Sequence, residues 1–183
     1  MSRIPEVNLV PDPPFQSLKG LEEETKLLRN AFGCFPTGVV AVSAVANDEP
    51  VCLIASSFVA VSIDPALVAF CVQWNSHTWD ILKELPRLGI SVLGYQHNES
   101  VRRLASRAED KFEKLNLSIS PEGAVFIDGA TAWLDCTLEN VLPAGDHGIV
   151  LLRINALTTR PLEEPLVFHG SAFRNLESKP ASS

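Results

Sequence analysis

VCLIASSFVAVSIDPALVAFCVQWNSHT, residues 51–78, is the stretch on which the rest of the chain depends. A mostly apolar run, Val51 to Ala55, leads into the hydroxyls of Ser56 and Ser57 and then Phe58. After a turn at Asp64-Pro65, a second run, Ala66 to Val72, ends in the polar cluster Asn75-Ser76-His77-Thr78. Short apolar runs bounded by turn residues are the pattern of buried strands. Two such strands, each delivering small polar groups at one end, make a cradle for a phosphorylated ligand. Small side chains let a ligand approach the main chain, and N–H groups with hydroxyls bind an anion without a lysine. The same residues also suit two ordinary sheet strands with turn serines, so the flanking chain must decide between the two.

On the N-terminal side, Val39 to Ala46 is a strand, and Asn47-Asp48-Glu49-Pro50 closes a hairpin into Val51 to Phe58. Before it, Leu21 to Phe32 has helical spacing, with Leu21, Thr25, Leu28 and Phe32 on one face and Leu27 and Ala31 widening it. Glu22, Glu23 and Glu24 occupy the first turn, where the helix dipole favours negative charge, and Gly33 can end the helix. Residues 1–20 carry Pro5, Pro11, Pro13 and Pro14 and are expected to be an extended or mobile arm suited to lie across a neighbouring subunit.

On the C-terminal side, Thr78 to Leu85 is a short helix stopped by Pro86, and Leu88 to Leu93 is a strand. The N–H groups that open the helix point at whatever sits beside the hydroxyls of residues 75–78. Asn98 to Ala108 is expected to be helical, with Val101, Leu104, Ala105 and Ala108 inward. It begins a region holding Arg102, Arg103, Arg107, Lys111 and Lys114, diluted by Glu109, Asp110 and Glu113 into what is expected to be a solvated charged face. Leu115 to Gly129 is loop-like, with a short strand at Ala124 to Ile127. Thr131 to Leu142 and Gly148 to Leu157 are strands joined through Pro143-Ala144-Gly145-Asp146, with Ala132, Leu134, Cys136 and Leu138 sharing one face. Leu166 to His169 and Ala172 to Arg174 make a last hairpin, and residues 177–183 are expected to be a disordered tail. The domain is therefore residues 21–176. Its strands are not alternated with helices, which favours an antiparallel barrel with helices outside it.

Composition narrows the function. The chain has 183 residues, 46% hydrophobic and 20% charged, with a net charge of −7. One ordinary core-bearing domain is expected. No basic stripe with interleaved aromatics marks a nucleic-acid surface, and no apolar run reaches membrane-spanning length. Of the four cysteines, Cys34, Cys52, Cys71 and Cys136, three sit in apolar surroundings and read as buried. No CxxC pair is present, so a reduced, cytoplasmic protein is expected. There is no GxSxG, GxGxxG or GxxxxGK motif, and His77, His97, His147 and His169 lack metal-ligand spacing. An enzyme with so little machinery of its own would rely on a bound organic cofactor.

Four stretches in order resemble the short-chain flavin reductase family, the reductase components of two-component flavin monooxygenases. They are Leu28-Arg29-Asn30-Ala31-Phe32-Gly33-Cys34-Phe35-Pro36-Thr37-Gly38-Val39, then Ala55-Ser56-Ser57-Phe58 with Ser62-Ile63-Asp64-Pro65, then Asp110-Lys111-Phe112, then Ala144-Gly145-Asp146-His147. The resemblance covers about residues 25–175. It implies a mainly β fold with peripheral helices, a Greek-key split β-barrel of the FMN-binding type, assembled as a homodimer. It also implies a reaction: NADH or NADPH delivers hydride to N5 of FMN or FAD, and the reduced flavin leaves for a partner oxygenase.

Carried over by position, Ala55, Ser56 and Ser57 would contact the isoalloxazine and ribityl chain, with Ile54 and Cys71 completing that side. Ser76 and Thr78 would hold the phosphate. Thr37 and Gly38 match the family's turn beside the flavin, and Leu104, Ala105, Lys111 and Phe112 would line its other side. Gly145, Asp146 and His147 resemble the nicotinamide-binding turn, which makes His147 the candidate catalytic residue. Arg107 and Lys111 are the candidate charges near flavin N1. His97 lies outside every matched stretch and is expected to be a silent position. The chain departs from the family in having Trp74 where a basic residue is frequent, Pro36 for a small residue, and Phe173-Arg174 near a frequent tyrosine. Loss of the basic residue implies looser retention of flavin. Two alternatives remain: an oxidase or oxygenase of the same barrel that keeps its flavin, and a flavin- or haem-binding module without turnover. The Gly145-Asp146-His147 turn separates them, because a module that only binds has no use for it.

Overall fold

The computed structural model describes Leu18, residues 21–106, Ala108 and residues 110–176. The proposed arm, apart from Leu18, and the proposed tail lie outside the described residues, as does Arg107. The chain runs α1 (Leu21–Gly33), β1 (Thr37–Gly38), β2 (Val40–Ala46), β3 (Glu49–Ala55), β4 (Val59–Ser62), β5 (Leu67–Gln73) and α2 (His77–Leu82). It continues through β6 (Leu88–Val92), a 3₁₀ turn at Tyr95–His97, α3 (Val101–Leu104), β7 (Leu117–Ile119) and β8 (Val125–Ile127). The long strands β9 (Ala132–Ala144) and β10 (His147–Thr159) follow, then β11 (Val167–His169) and β12 (Ala172–Arg174).

Seven strands form one antiparallel sheet in the order β3-β2-β6-β9-β10-β5-β4. The sheet curls until its edge strand β3 approaches β5 and α2, and the gap between them is the split in the barrel. Strand alternation fills the interior. Val40, Val42, Val68, Phe70, Val72, Leu88, Ile90, Leu134, Cys136, Val150 and Leu152 point inward and are buried together. Helix α2 closes the barrel with Trp79 and Leu82, and Trp79 meets Phe70 edge to face at 5.6 Å. Val39, just before β2, and the opposite faces of β2 and β3, through Ala41 and Cys52, pack with Leu93, Val101, Leu104, Ile127 and Leu166 into a second core. That outer core anchors α3 and the three-stranded sheet β1-β11-β12 against the barrel.

Several local expectations change for identifiable reasons. The β2–β3 hairpin closes through two residues, not four, because Asn47 and Asp48 both adopt positive φ, 51° and 65°. This is the primed turn that matches strand twist, and Asn and Asp tolerate it. Pro50 therefore lies within β3, where an edge strand accepts it. The strand expected to reach Phe58 stops at Ala55, and Val59–Ser62 forms a separate strand with exposed Val59, Ala60 and Val61. The helix expected over 98–108 shrinks to α3 because the Ser106 side chain captures its end. Ser106 Oγ donates to the Arg103 carbonyl at 2.7 Å and accepts from the Ala108 N–H at 3.1 Å. Ala105 is consequently exposed instead of inward. Cys71 is also exposed, since β5 turns Phe70 and Val72 to the interior and Cys71 to the outer face.

Candidate active site

A cleft of about 450 Å³ opens at the split. One wall is β3, through Cys52, Leu53 and Ile54; the second is the turn from β5 into α2, through Gln73, Asn75, Ser76, His77 and Thr78; the third is the end of α3, through Leu104, Ala105 and Ser106. Five of the expected flavin contacts, Ile54, Ser76, Thr78, Leu104 and Ala105, thus share one cleft. Ser76 caps α2, its hydroxyl accepting from the Trp79 N–H at 3.3 Å. That bond uses an acceptor site on the oxygen and leaves the Ser76 O–H able to donate.

The end of β3 leads out of this cleft into a second hollow of about 600 Å³. It is lined by Arg29, Phe32, Gly33, Phe35, Thr37, Ser56, Ser57, Phe168 and Ser171. Here aromatic rings surround a few hydroxyls, whereas the first cleft is lined mainly by polar groups. Ala55 lies between the two along the chain, but its side chain is buried in the barrel, so only its main chain is offered to a ligand. Ser57 is tied to Cys71: its hydroxyl accepts from the Cys71 N–H at 2.8 Å and donates to the Cys71 carbonyl at 3.3 Å. Gly38 lies on exposed β1 beside Thr37, which pairs with Phe168.

The Gly145-Asp146-His147 turn joins β9 to β10, with Gly145 at φ +65°. Register places His147 opposite Gln73, which brings the turn to the margin of the first cleft. His147 Nδ1 stands 2.7 Å from Asp146 Oδ1. The hydrogen bond from His147 and its charge hold the Asp146 carboxyl below its ordinary value. Trp74 was not foreseen as part of this arrangement. Its main-chain N–H donates to the Asp146 carbonyl at 3.3 Å and its indole Nε1–H donates to the Gly145 carbonyl at 3.2 Å.

Other expected residues stand further off. Lys111 lines a separate concavity with Glu49, Pro50, Val51 and Ala108, while its charge is still felt by the Cys52 thiol in the cleft wall. Phe112 packs against the outer core. His97, outside every matched stretch, lies inside the protein. It is 3% exposed, its Nε2 lies 2.9 Å from the Asp128 carbonyl, and its Nδ1 lies 3.1 Å from the main chain of Gly94. A histidine bridging two loops inside the protein is structural, and nothing in its sequence spacing revealed that. Among the described residues there is no cluster of three or more His, Cys, Asp or Glu able to hold a metal ion. No helix among them is long and apolar enough to cross a membrane.

The two hollows fit a flavin nucleotide. Their volumes are in the range of small-molecule sites. One end offers amides and hydroxyls for a phosphate and ribityl chain, the other an aromatic lining for a flat ring system. Comparison with known proteins agrees. Residues 32–177 match the flavin reductase like domain. A flavin reductase of Pseudomonas putida is 36% identical over 146 residues, covering 79% of this chain and 86% of the relative. The reductase subunit HsaB of a flavin-dependent monooxygenase from Rhodococcus jostii (strain RHA1) is 30% identical over 154 residues, 84% of this chain and 79% of the relative. Among solved structures, the NADH:FAD oxidoreductase SgcE6 of Streptomyces globisporus C-1027, in complex with NAD and FAD fragments, superposes with a TM-score of 0.80. It shares 33% identity and covers 88% of this chain and 96% of that one. The split barrel, the cleft at its split and the match over residues 32–177 together show that this chain belongs to the flavin reductase like domain family.

Proposed function

We propose that this chain is an NAD(P)H-dependent flavin reductase that supplies reduced flavin to a partner monooxygenase. The observation that carries this is the geometry along β3. Ser76 and Thr78 stand at one end, Ser56 and Ser57 at the other, and the His147 turn lies beside Gln73 at the margin. When both nucleotides are bound, nicotinamide C4 supplies hydride to flavin N5. The protein's work is positional, since holding two reactants in register replaces an encounter in solution. Ser76 and Thr78 donate to the phosphate of FMN or FAD. The main chain at Ala55 and the hydroxyls of Ser56, Ser57 and Thr37 orient the ring. Leu104 and Ala105 close the opposite side, and Gly145, Asp146 and His147 receive the nicotinamide nucleotide.

Among the described residues, no lysine or arginine lines the first cleft. Phosphate binding without a fixed charge is moderate, which suits a flavin that behaves as a substrate and leaves. The functional unit in this proposal is a homodimer in the cytoplasm. The exposed apolar side chains of α1, β4 and β9 support the first part, and four unpaired cysteines support the second.

The test is NADH and NADPH oxidation by purified protein, with and without added FMN, FAD and riboflavin. Pale protein whose turnover depends on added flavin is expected. A stoichiometric flavin that never exchanges during turnover would instead identify an oxidase or oxygenase of the same barrel. No oxidation of either nucleotide with any flavin would leave a binding module.

A further inference from the structure

We propose that Trp74 is a positioning residue that holds the His147 turn against the flavin cleft. This rests on the nicotinamide role given to that turn above. The neighbours of Trp74 in the chain, Gln73 and Asn75, line the cleft, whereas the Trp74 indole lies on the β9–β10 turn and does not line it. Its two hydrogen bonds both end on the β9–β10 turn: main-chain N–H to the Asp146 carbonyl at 3.3 Å, and Nε1–H to the Gly145 carbonyl at 3.2 Å. The indole also lies on Gly148, where an added Cβ would stand 2.7 Å from Cη2 and 3.0 Å from Cζ3. Glycine at 148 is therefore what allows the ring its place. One residue thus braces the turn, its indole by packing and one donor and its main chain by a second donor, immediately beside the rung that pairs His147 with Gln73.

The strand ladders fix the base of the turn, pairing His147 with Ala144 and with Gln73. At the tip the Asp146 side chain is 90% exposed, and its carboxylate is the side-chain partner of His147 Nδ1. A two-residue hairpin tip projects beyond the last paired rung, so its orientation over the cleft depends on what packs against it. The indole is packed against that tip, so its effect reaches the reaction through the placement of His147 and the main chain around it. Because Trp74 does not line the flavin cleft, flavin affinity should be nearly independent of it.

The experiment compares Trp74→Phe, Trp74→Ala, His147→Ala and the double variant Trp74→Ala/His147→Ala. The readouts are kcat and KM for NADH at saturating FMN, and the FMN dissociation constant from quenching of flavin fluorescence. Trp74→Ala should lower kcat/KM for NADH about tenfold while changing the FMN dissociation constant less than about threefold. Trp74→Phe keeps the main-chain bond and most of the packing and should lose about threefold. The half-exposed position of Trp74 makes this conservative variant compatible with folding. In the double variant, loss of Trp74 should add little to the effect of His147→Ala, because the brace then has nothing to position. If the two losses multiply, or if both Trp74 variants keep wild-type NADH kinetics while His147→Ala does not, the positioning role is overturned and the nicotinamide role of the turn stands. If His147→Ala itself leaves NADH kinetics intact, the nicotinamide role fails and this inference fails with it.

Discussion

The hydroxyl of Ser57 occupies a rung of the sheet opposite Cys71, accepting from the Cys71 N–H at 2.8 Å and donating to its carbonyl at 3.3 Å. Strand β4 pairs with β5 through Val59 and Ala69, so continuation of that register places Ser57 opposite Cys71. A side chain does there what main chain does two residues later. The segment Ala55-Ser56-Ser57 can therefore leave the sheet plane at the mouth of the aromatic hollow while staying attached to β5. A hydroxyl that seals a strand end is a different thing from a hydroxyl that binds ligand, and Ser57 serves as the first whether or not it serves as the second.

Ser57→Ala should consequently have two effects. Loss of the pair of bonds should lower stability by about 0.5–1.5 kcal/mol, the net value of ordinary hydrogen bonds at a site water can reach. The freed segment should also weaken binding of riboflavin and FMN alike, because the ring end is common to both. Urea denaturation and flavin titration measure these. An effect confined to FMN would place the phosphate, not the ring, near Ser57.

The end at Ser76 and Thr78, proposed to hold the phosphate, should give the opposite signature. Ser76 is committed to capping α2, so its replacement costs helix stability as well as any ligand bond. Thr78 lines the same cleft, and no cap bond to it complicates the outcome. Thr78→Ala should weaken FMN by about 1–3 kcal/mol, the range for a hydrogen bond to a charged group, and leave riboflavin nearly unaffected. The double variant Ser76→Ala/Thr78→Ala should extend the loss for FMN alone. Equal weakening of both ligands, measured by fluorescence titration, would mean that the phosphate lies elsewhere.

Much of this was legible in the chain because it depends on local pattern. The apolar runs around residues 51–72 and the shared face of Ala132, Leu134, Cys136 and Leu138 show strands, and Ser76 in front of a short apolar segment marks a helix start. What was not legible depends on contacts distant in sequence. His97 meets Asp128 across 31 positions, and Trp74 meets Gly145 across 71. Neither partner is implied by spacing or residue type. Cys71 misled for another reason: it has the same apolar neighbours as a core cysteine, and only the phase of β5, set by Phe70 and Val72, turns it outward. The short end of α3 shows the same limit on a smaller scale, since Ser106 competes with the helix for its own carbonyls.

The two buried thiols predict how stability responds to alkali. Burial pushes Cys52 up to about 11, tempered by the Ser43 hydroxyl and the Lys111 charge. Burial, with the Asp135 charge beside it, pushes Cys136 up to about 12, tempered by Arg87. In the unfolded chain both ionise near their ordinary value of about 8.5–9. Between about pH 9 and 11 the folded state therefore holds protons that the unfolded state has lost, and stability falls as pH rises. The slope is about 1.4 kcal/mol per pH unit for each thiol, about 2.8 for both, and below about pH 8.5 the effect vanishes. Cys52→Ala/Cys136→Ala should be less stable at neutral pH, through lost packing, yet decline less steeply between pH 9 and 10.5. Urea midpoints at several pH values decide it: parallel curves for the two proteins would show that the thiols ionise without resistance.

The last prediction concerns a second copy of the chain. Val59 and Val61 on β4 are 53% and 51% exposed, and Leu142 on β9 is 47% exposed. Register carries this apolar surface across the outer face of the sheet, since Ile149 on β10 lies between Leu142 on β9 and Cys71 on β5. Phe32 and Phe35, 69% and 71% exposed, stand at the mouth of the aromatic hollow. A face of this kind is unusual on a monomer and is covered when two such faces meet. Light scattering at micromolar concentration should give the mass of a dimer. Leu142→Glu should raise its dissociation constant by about 30-fold or more, because each interface would then bury an unpaired carboxylate at a cost of at least about 2 kcal/mol. Reductase activity of the dissociated chain then locates the ring end of the site. If activity falls with dissociation, the neighbour completes the aromatic hollow at Phe32, Phe35 and Ser56. If a monomer of wild-type sequence is fully active, the dimer is rejected, and the hollow along β3 is sufficient within one chain.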